Sequence, residues 1–147
     1  SFHFISLGFH IPPSLIIMEK NKKVFLIEDD TYILEIYKQA FKVAGIDFEV
    51  IELGLEALKR IREIVKKDLE KPSIILVDLV LPDINGIEIL KEIKNNKKTK
   101  DIRVFLVSNY EDPEFLKKEK VKADKFILKA TITPTQLADL IKKELKD

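Results

Sequence analysis

Between Lys22 and Leu145 short apolar runs alternate with longer amphipathic stretches. The runs are "KVFLIE", "IDFEVIE", "SIILVD", "IRVFLVS" and "DKFILK", each bounded by charged or turn-forming residues. Their length and β-branched content predict strands. Between the first two, "TYILEIYKQAFKVA" places Ile33, Tyr37, Ala40, Phe41 and Ala44 on one helical face and is followed by Gly45, a residue suited to a left-handed helix stop. "LEALKRIREIVKKDL" repeats the spacing at Leu55, Leu58, Ile61, Val65 and Leu69. "NGIEILKEIKNN" predicts a third helix and "DPEFLKKEKV" a weaker fourth. The fifth, "TPTQLADLIKKELKD", has Thr133 and Gln136 at capping-box spacing and Pro134 at the first helical position.

Five βα units in about 130 residues predict an α/β fold with a parallel sheet. Strand character predicts the order. The second run alternates Ile46, Phe48 and Val50 with Asp47 and Glu49, as an edge strand with one wetter face does. The fifth is short and flanked by lysines, whereas the first, third and fourth are continuously apolar and belong in the centre. That is the doubly wound, flavodoxin-like order 2-1-3-4-5.

Composition narrows the chemistry. The 147 residues are 46% hydrophobic and 35% charged, with a net charge of +1, enough for one domain with a real core. Near-neutral balance gives no bulk attraction to nucleic acid or membrane, and no apolar run reaches the ~20 residues of a membrane helix. Without cysteine, disulfides, thiolate catalysis and zinc–thiolate sites are excluded, which suits a cytoplasmic protein. Residues 1–17, "SFHFISLGFHIPPSLII", hold both histidines and no Lys, Arg, Asp or Glu. They lack the basic start and small-residue cleavage site of a signal peptide. Met18 reads as a natural beginning, so 1–17 is expected to be a non-native or upstream extension and 18–147 the domain. The alternative is an apolar arm that packs on a partner chain. From Met18 onward there is neither His nor Cys, so the chemistry falls to carboxylates, hydroxyls, lysines and metal.

In sheets of this order ligands bind beyond the carboxyl ends of the strands. Strand one ends in Glu28-Asp29-Asp30, strand three in Asp78, strand four in Ser108 and strand five in Lys129. Side by side, such carboxylates repel, and they are tolerable where a hard divalent cation such as Mg²⁺ sits among them. Each residue alone has a plainer reading. Asp30 is an N-cap for the helix starting at Thr31, Asp78 can start a turn, and surface lysines are ordinary. Their joint placement on one rim is what points to a site.

The motifs "LIEDD", "ILVDLVLPDINGIEIL", "FLVSN" and "FILKA" carry a resemblance. From Lys22 to about Leu145 the chain resembles the receiver domains of two-component response regulators, chemotaxis-regulator-like proteins among them. The resemblance implies that Asp78 is the phosphoacceptor, and that Glu28 and Asp29 hold Mg²⁺ with Asp78 and the backbone carbonyl of Val80. It implies a phosphate-binding lysine at Lys129, a phosphate-binding and switch hydroxyl at Ser108, and a switch aromatic at Phe126. Phe126 lacks a hydroxyl and has the alternative of simple core packing on an edge strand. The phosphodonor implied is a sensor histidine kinase or a histidine phosphotransfer protein. Two positions depart from the family pattern. Ala130 follows the lysine where proline is usual, and a cis Lys–Ala bond would cost about 2.5–4 kcal/mol. Asn109 is bulkier than the small residue common there and narrows access to Asp78.

The leading expectation is a stand-alone phospho-receiver that catalyses only its own phosphorylation and dephosphorylation. It would signal to a downstream partner through the face of helix four, strand five and helix five. There the run Phe115 to Lys129 has six lysines against Glu119 and Asp124, a basic contact or simply a solvated face. A Mg²⁺-dependent phosphohydrolase with an aspartyl nucleophile is the rival, disfavoured because Val80 stands where a second acid is expected. A pseudo-receiver that binds without taking phosphate is the third reading. Val80 and Tyr110, two residues beyond Asp78 and Ser108, are the positions expected to tune hydrolysis. Neither offers a small polar group to orient water, so the phosphoryl group is expected to leave slowly.

Overall fold

The computed structural model describes residues 22–109 and 117–146. The 1–17 extension, Tyr110 and the first half of the expected fourth helix (112–116) lie outside the described residues. The elements are β1 (Val24–Ile27), α1 (Thr31–Ala44), β2 (Phe48–Ile51), α2 (Gly54–Lys67), β3 (Ile74–Asp78), α3 (Gly86–Lys94), β4 (Arg103–Ser108), β5 (Lys125–Leu128) and α4 (Pro134–Lys146). All four pairings are parallel and the order is β2-β1-β3-β4-β5, as strand character predicts. β1 and β3 are buried at every position and β4 at all but Arg103. β2 and β5 are half-open edges.

Because side chains alternate across a strand, the sheet feeds two cores. Phe25, Ile27, Ile75, Val77, Val104 and Leu106 face α2 and α3. Val24, Leu26, Ile74, Leu76, Phe105 and Val107 face α1 and α4. α1 buries Leu34, Tyr37 and Phe41, while Ile33, Ala40 and Ala44 flank that stripe half-buried. Asp30 caps the helix through the N–H groups of Tyr32 and Ile33, and Gly45 ends it at φ 73°. α4 opens with the reciprocal box: Thr133 N–H donates to Gln136 Oε1 at 2.9 Å and Gln136 N–H to Thr133 Oγ1 at 3.1 Å.

The apolar face of α2 differs from its sequence reading. Gly54, Ala57, Leu58, Ile61 and Ile64 are buried, while Leu55 and Leu69 are 58% and 46% exposed. Gly54 anchors the helix start, and Leu55 lies about 100° further round. Leu69 falls past the helix end, because Asp68 turns left-handed at φ 52°.

Candidate functional site

The carboxyl ends of β1, β3 and β5 converge on one rim. The β1 ladder runs on through Glu28 N–H to Ile51 O at 3.1 Å, which carries Glu28 inward until 2% of it is exposed. The turn after it is held by its own carboxylate: Glu28 Oε2 accepts from Asp29 N–H at 3.0 Å and from Asp30 N–H at 3.3 Å. Asp29 is left exposed on the rim. Asp30 is committed to capping α1, so it is not a site residue.

Asp78 closes β3 and is 9% exposed. The chain beyond it is fixed by backbone contacts. Leu79 N–H donates to Val107 O at 2.8 Å, Gly86 N–H returns to Leu79 O at 2.8 Å, and Val80 bridges to Asn85. Val80 N–H donates to Asp78 Oδ1 at 3.0 Å, which sets one carboxylate oxygen. Gly86 must be glycine here, because a Cβ would stand 2.4 Å from the Asp78 carbonyl oxygen. Val80's own side chain is 60% exposed.

Lys129 begins a 3-10 turn, Lys129–Thr131, that Thr131 Oγ1 closes by donating to Leu128 O at 2.8 Å. The Lys129–Ala130 peptide is trans. The lysine still reaches the site from that backbone: Nζ lies 2.8 Å from Glu28 Oε1 and 2.9 Å from Asp78 Oδ2. Replacement of the usual proline by Ala130 therefore leaves the lysine in place without a cis bond.

The charges are unbalanced. Burial, a carboxyl–carboxyl hydrogen bond with Asp78 and its charge push the Glu28 carboxyl up to about 7 against the opposing pull of Lys129. Burial alone would lower Lys129, but its hydrogen bonds to Glu28 and Asp78 outweigh that and hold the ammonium above its ordinary value. One ammonium thus faces two carboxylates, with Asp29 a third. Oxygens from Glu28, Asp29 and Asp78 lie within 4.8 Å of one another, a set that could hold a metal ion. Three hard oxygen donors with excess negative charge fit Mg²⁺ rather than a softer metal.

Ser108 is buried at the end of β4, opposite Leu128 of β5, and lies one residue beyond the partner of Asp78. Phe126 pairs with Leu106, so Leu106, Ser108 and Phe126 share one face of the sheet. Phe126 is 39% exposed and turned toward solvent, unlike a core residue. Asn109 is exposed and, with Lys129, borders a cavity of about 300 Å³ floored by Ile33, Tyr37 and Ile132. Tyr110 lies outside the described residues.

Asp83 is the residue that the sequence reading missed. Its carboxylate accepts from Gly54 N–H at 2.9 Å and Leu55 N–H at 2.8 Å, across to the start of α2. "LPDING" reads locally as a turn. The available clue was that Leu53, just before α2, cannot cap a helix.

Comparison with known proteins agrees with this geometry. The sequence model of the response regulator receiver domain matches residues 24–142. A CpxR-homologue transcriptional regulatory protein of Haemophilus influenzae is 36% identical over 72 residues, 49% of this chain and 29% of that protein. The polar-differentiation response regulator DivK of Brucella ovis is 28% identical over 89 residues, 60% of this chain and 68% of DivK. The aligned part of the chain thus spans under a third of the transcriptional regulator. Among solved structures, the phosphorylated cyanobacterial phytochrome response regulator RcpA superimposes with a TM-score of 0.68 at 26% identity, covering 84% of this chain and 90% of that one. With the matched region spanning most of the chain and all five strands, this protein belongs to the response regulator receiver domain family.

Proposed function

We propose that the chain is a Mg²⁺-dependent phosphoacceptor that takes a phosphoryl group on Asp78 from a phosphohistidine of a sensor histidine kinase or phosphotransfer protein. The observation that carries this reading is Lys129 Nζ held between Glu28 and Asp78, with Asp29 beside them. The phosphorylated state of the similar RcpA supports it.

Glu28, Asp29, Asp78 and the Val80 carbonyl would hold the ion. When bound, Mg²⁺ supplies charge neutralisation and aligns donor and acceptor oxygens. The chain's own groups do the rest. Val80 N–H fixes Asp78 Oδ1, and Lys129 Nζ holds Asp78 Oδ2. A carboxylate oxygen attacks phosphorus, forming the O–P bond while the N–P bond of the donor breaks. The donor imidazole leaves with that electron pair and takes a proton from solvent. Lys129 then faces a phosphoryl oxygen, and the Ser108 hydroxyl turns toward another. The space so vacated lets Phe126 move from solvent inward, converting a charge event into a surface change.

The downstream contact in this proposal is the lysine-bearing surface around β5. There Lys91 pairs with Glu119 at 3.0 Å and Lys94 with Asp124 at 2.8 Å, which leaves Lys118 and Lys122 exposed. An acidic partner bound there weakens with salt and with charge reversal at Lys118 and Lys122. Binding that ignores both changes removes this surface from the proposal. The reading also places the protein in the cytoplasm as a signalling domain, not a turnover enzyme. Among the described residues no helix is long and apolar enough to cross a membrane.

Intact-mass measurement with a small-molecule phosphodonor tests the centre of the reading. Wild type gains one phosphoryl group only with Mg²⁺, Asp78→Asn gains none, and Asp29→Asn binds Mg²⁺ about tenfold more weakly, some 1.4 kcal/mol. Phosphate on Ser108, or unchanged Mg²⁺ affinity in Asp29→Asn, overturns it.

A further inference from the structure

The loop from Asp78 to Gly86 makes a contact that phosphotransfer does not explain. α2 starts after Leu53, which has no side-chain acceptor, so its leading N–H groups lack a local partner. Asp83 supplies one from the far side of β3. Oδ1 accepts from Gly54 N–H at 2.9 Å, Oδ2 from Leu55 N–H at 2.8 Å, and Oδ1 also takes Ile84 N–H at 3.0 Å. A second contact lies beside it. Ile84 sits so close on Gly54 that a Cβ there would stand 2.3 Å from Ile84 Cγ1. The tip of the loop is thus fastened to the head of α2 by a charge-assisted pair of bonds and by close packing.

The base of the same loop is Val80, whose N–H holds Asp78 Oδ1 and which bridges to Asn85. Only Leu81 and Pro82 separate Val80 from Asp83. Leu81 is 7% exposed in the α2–α3 core, and Pro82 has a fixed φ, so the span has little slack. A shift at Asp83 therefore reaches Val80 rather than dissipating between them.

We propose that Asp83 is a positioning residue for the phosphoacceptor: it ties the head of α2 to Val80, so that the aim of Asp78 depends on where α2 sits. This rests on the reading of Asp78 as phosphoacceptor. By linkage the tie works both ways, and a group bound at Asp78 steadies the head of α2. Asp83 touches neither phosphoryl group nor metal in this arrangement; it acts through the backbone of Val80.

The test compares wild type, Asp83→Ala and Asp83→Asn by amide exchange at Gly54, Leu55 and Val80 without metal, and by phosphorylation rate against phosphodonor concentration with Mg²⁺. In Asp83→Ala all three amides exchange faster, and the maximal phosphorylation rate falls about three- to tenfold, the size of one or two lost hydrogen bonds. Asp83→Asn keeps one acceptor oxygen and falls between the two. Faster exchange at Gly54 and Leu55, with Val80 and the phosphorylation rate as in wild type, makes Asp83 a cap and nothing more, and overturns the proposal. If wild type takes no phosphate, the phosphoacceptor reading fails by itself. Val80 exchange in the metal-free protein still decides the tie: acceleration sustains it, and none overturns it.

Discussion

The two strand ends that meet across the site are built by opposite means. Beyond β3, Asp78 to Gly86 is held by backbone: two ladder-like bonds at Leu79, a bridge from Val80 to Asn85, the Asp83 tie and a glycine against a carbonyl. Beyond β5, an edge strand, the lysine is held chiefly by its own charge, through Glu28 and Asp78. Its neighbours Phe126 and Ala130 are exposed. The carboxylate that, on the proposed reading, must attack phosphorus along a defined line is thus rigidly mounted. The cation that answers a change in charge sits on a long, adjustable arm.

The largest expected effect comes from breaking the rigid side. In Gly86→Ala the new Cβ meets Asp78 O at 2.4 Å and Leu79 Cα at 3.0 Å, both backbone and unable to rotate away. Overpacking of this kind costs about 1–3 kcal/mol. Because the displaced atoms belong to the proposed phosphoacceptor, phosphorylation is expected to fall along with the denaturation midpoint. Urea melts and intact mass together check this. A variant that melts like wild type and phosphorylates normally shows the mounting to be softer than its geometry.

Val80→Asn sharpens the comparison from within the rigid loop. Its side chain is exposed, so stability hardly changes, but Asn offers an amide to orient water near phosphorus. Loss of phosphate from Asp78 accelerates about threefold or more, with Mg²⁺ saturating. Equal decay rates assign hydrolysis to the metal alone.

Acid probes the Asp83 tie. Hydrogen bonds from Leu55 and then Gly54 hold the Asp83 carboxyl below its ordinary 3.8. A lowered folded-state value favours the ionised form in the fold. Its contribution is therefore complete above the ordinary value and is lost as pH falls through the lowered one. Below the ordinary value Asp83→Asn loses less stability with falling pH than wild type does. Parallel acid melts would leave the bonds to α2 without energetic weight.

The sequence made one of these regions easier to read than the other. Strand order followed from which runs alternate and which do not, and the acids, hydroxyl and lysine were visible as strand ends. Capping at Asp30, Gly45 and Thr133 was legible because each cap lies within four residues of its partners. Asp83 was not, since its partners are 28 and 29 positions away and nothing local marks them. The face of α2 was misassigned for the same reason. Gly54 is chosen by Ile84, so the rotation of the helix is set by a loop that the spacing of Leu55, Leu58, Ile61, Val65 and Leu69 does not report. The reach of Lys129 beside Ala130 was not legible either, because the reach of a lysine depends on backbone path rather than on residue type.

The smallest expected effect lies on the adjustable side. Phe126 is on the edge strand, 39% exposed, and pairs with Leu106 while Ser108 sits further along the same face. A side chain that open contributes little burial, so Phe126→Ala shifts unfolding free energy by only about 0.5 kcal/mol. If β5 is the responsive end, the same variant separates two readouts: Asp78 still takes phosphate at the wild-type rate, while phosphate no longer changes amide exchange along β5. Calorimetry or denaturant melts give the first number and intact mass the second. Amide exchange along β5, with and without phosphodonor, gives the third. A Phe126→Ala chain that loses about 3 kcal/mol or more places the ring in the core, on the scale of a buried aromatic truncation. The contrast between a fixed nucleophile and a yielding edge then disappears.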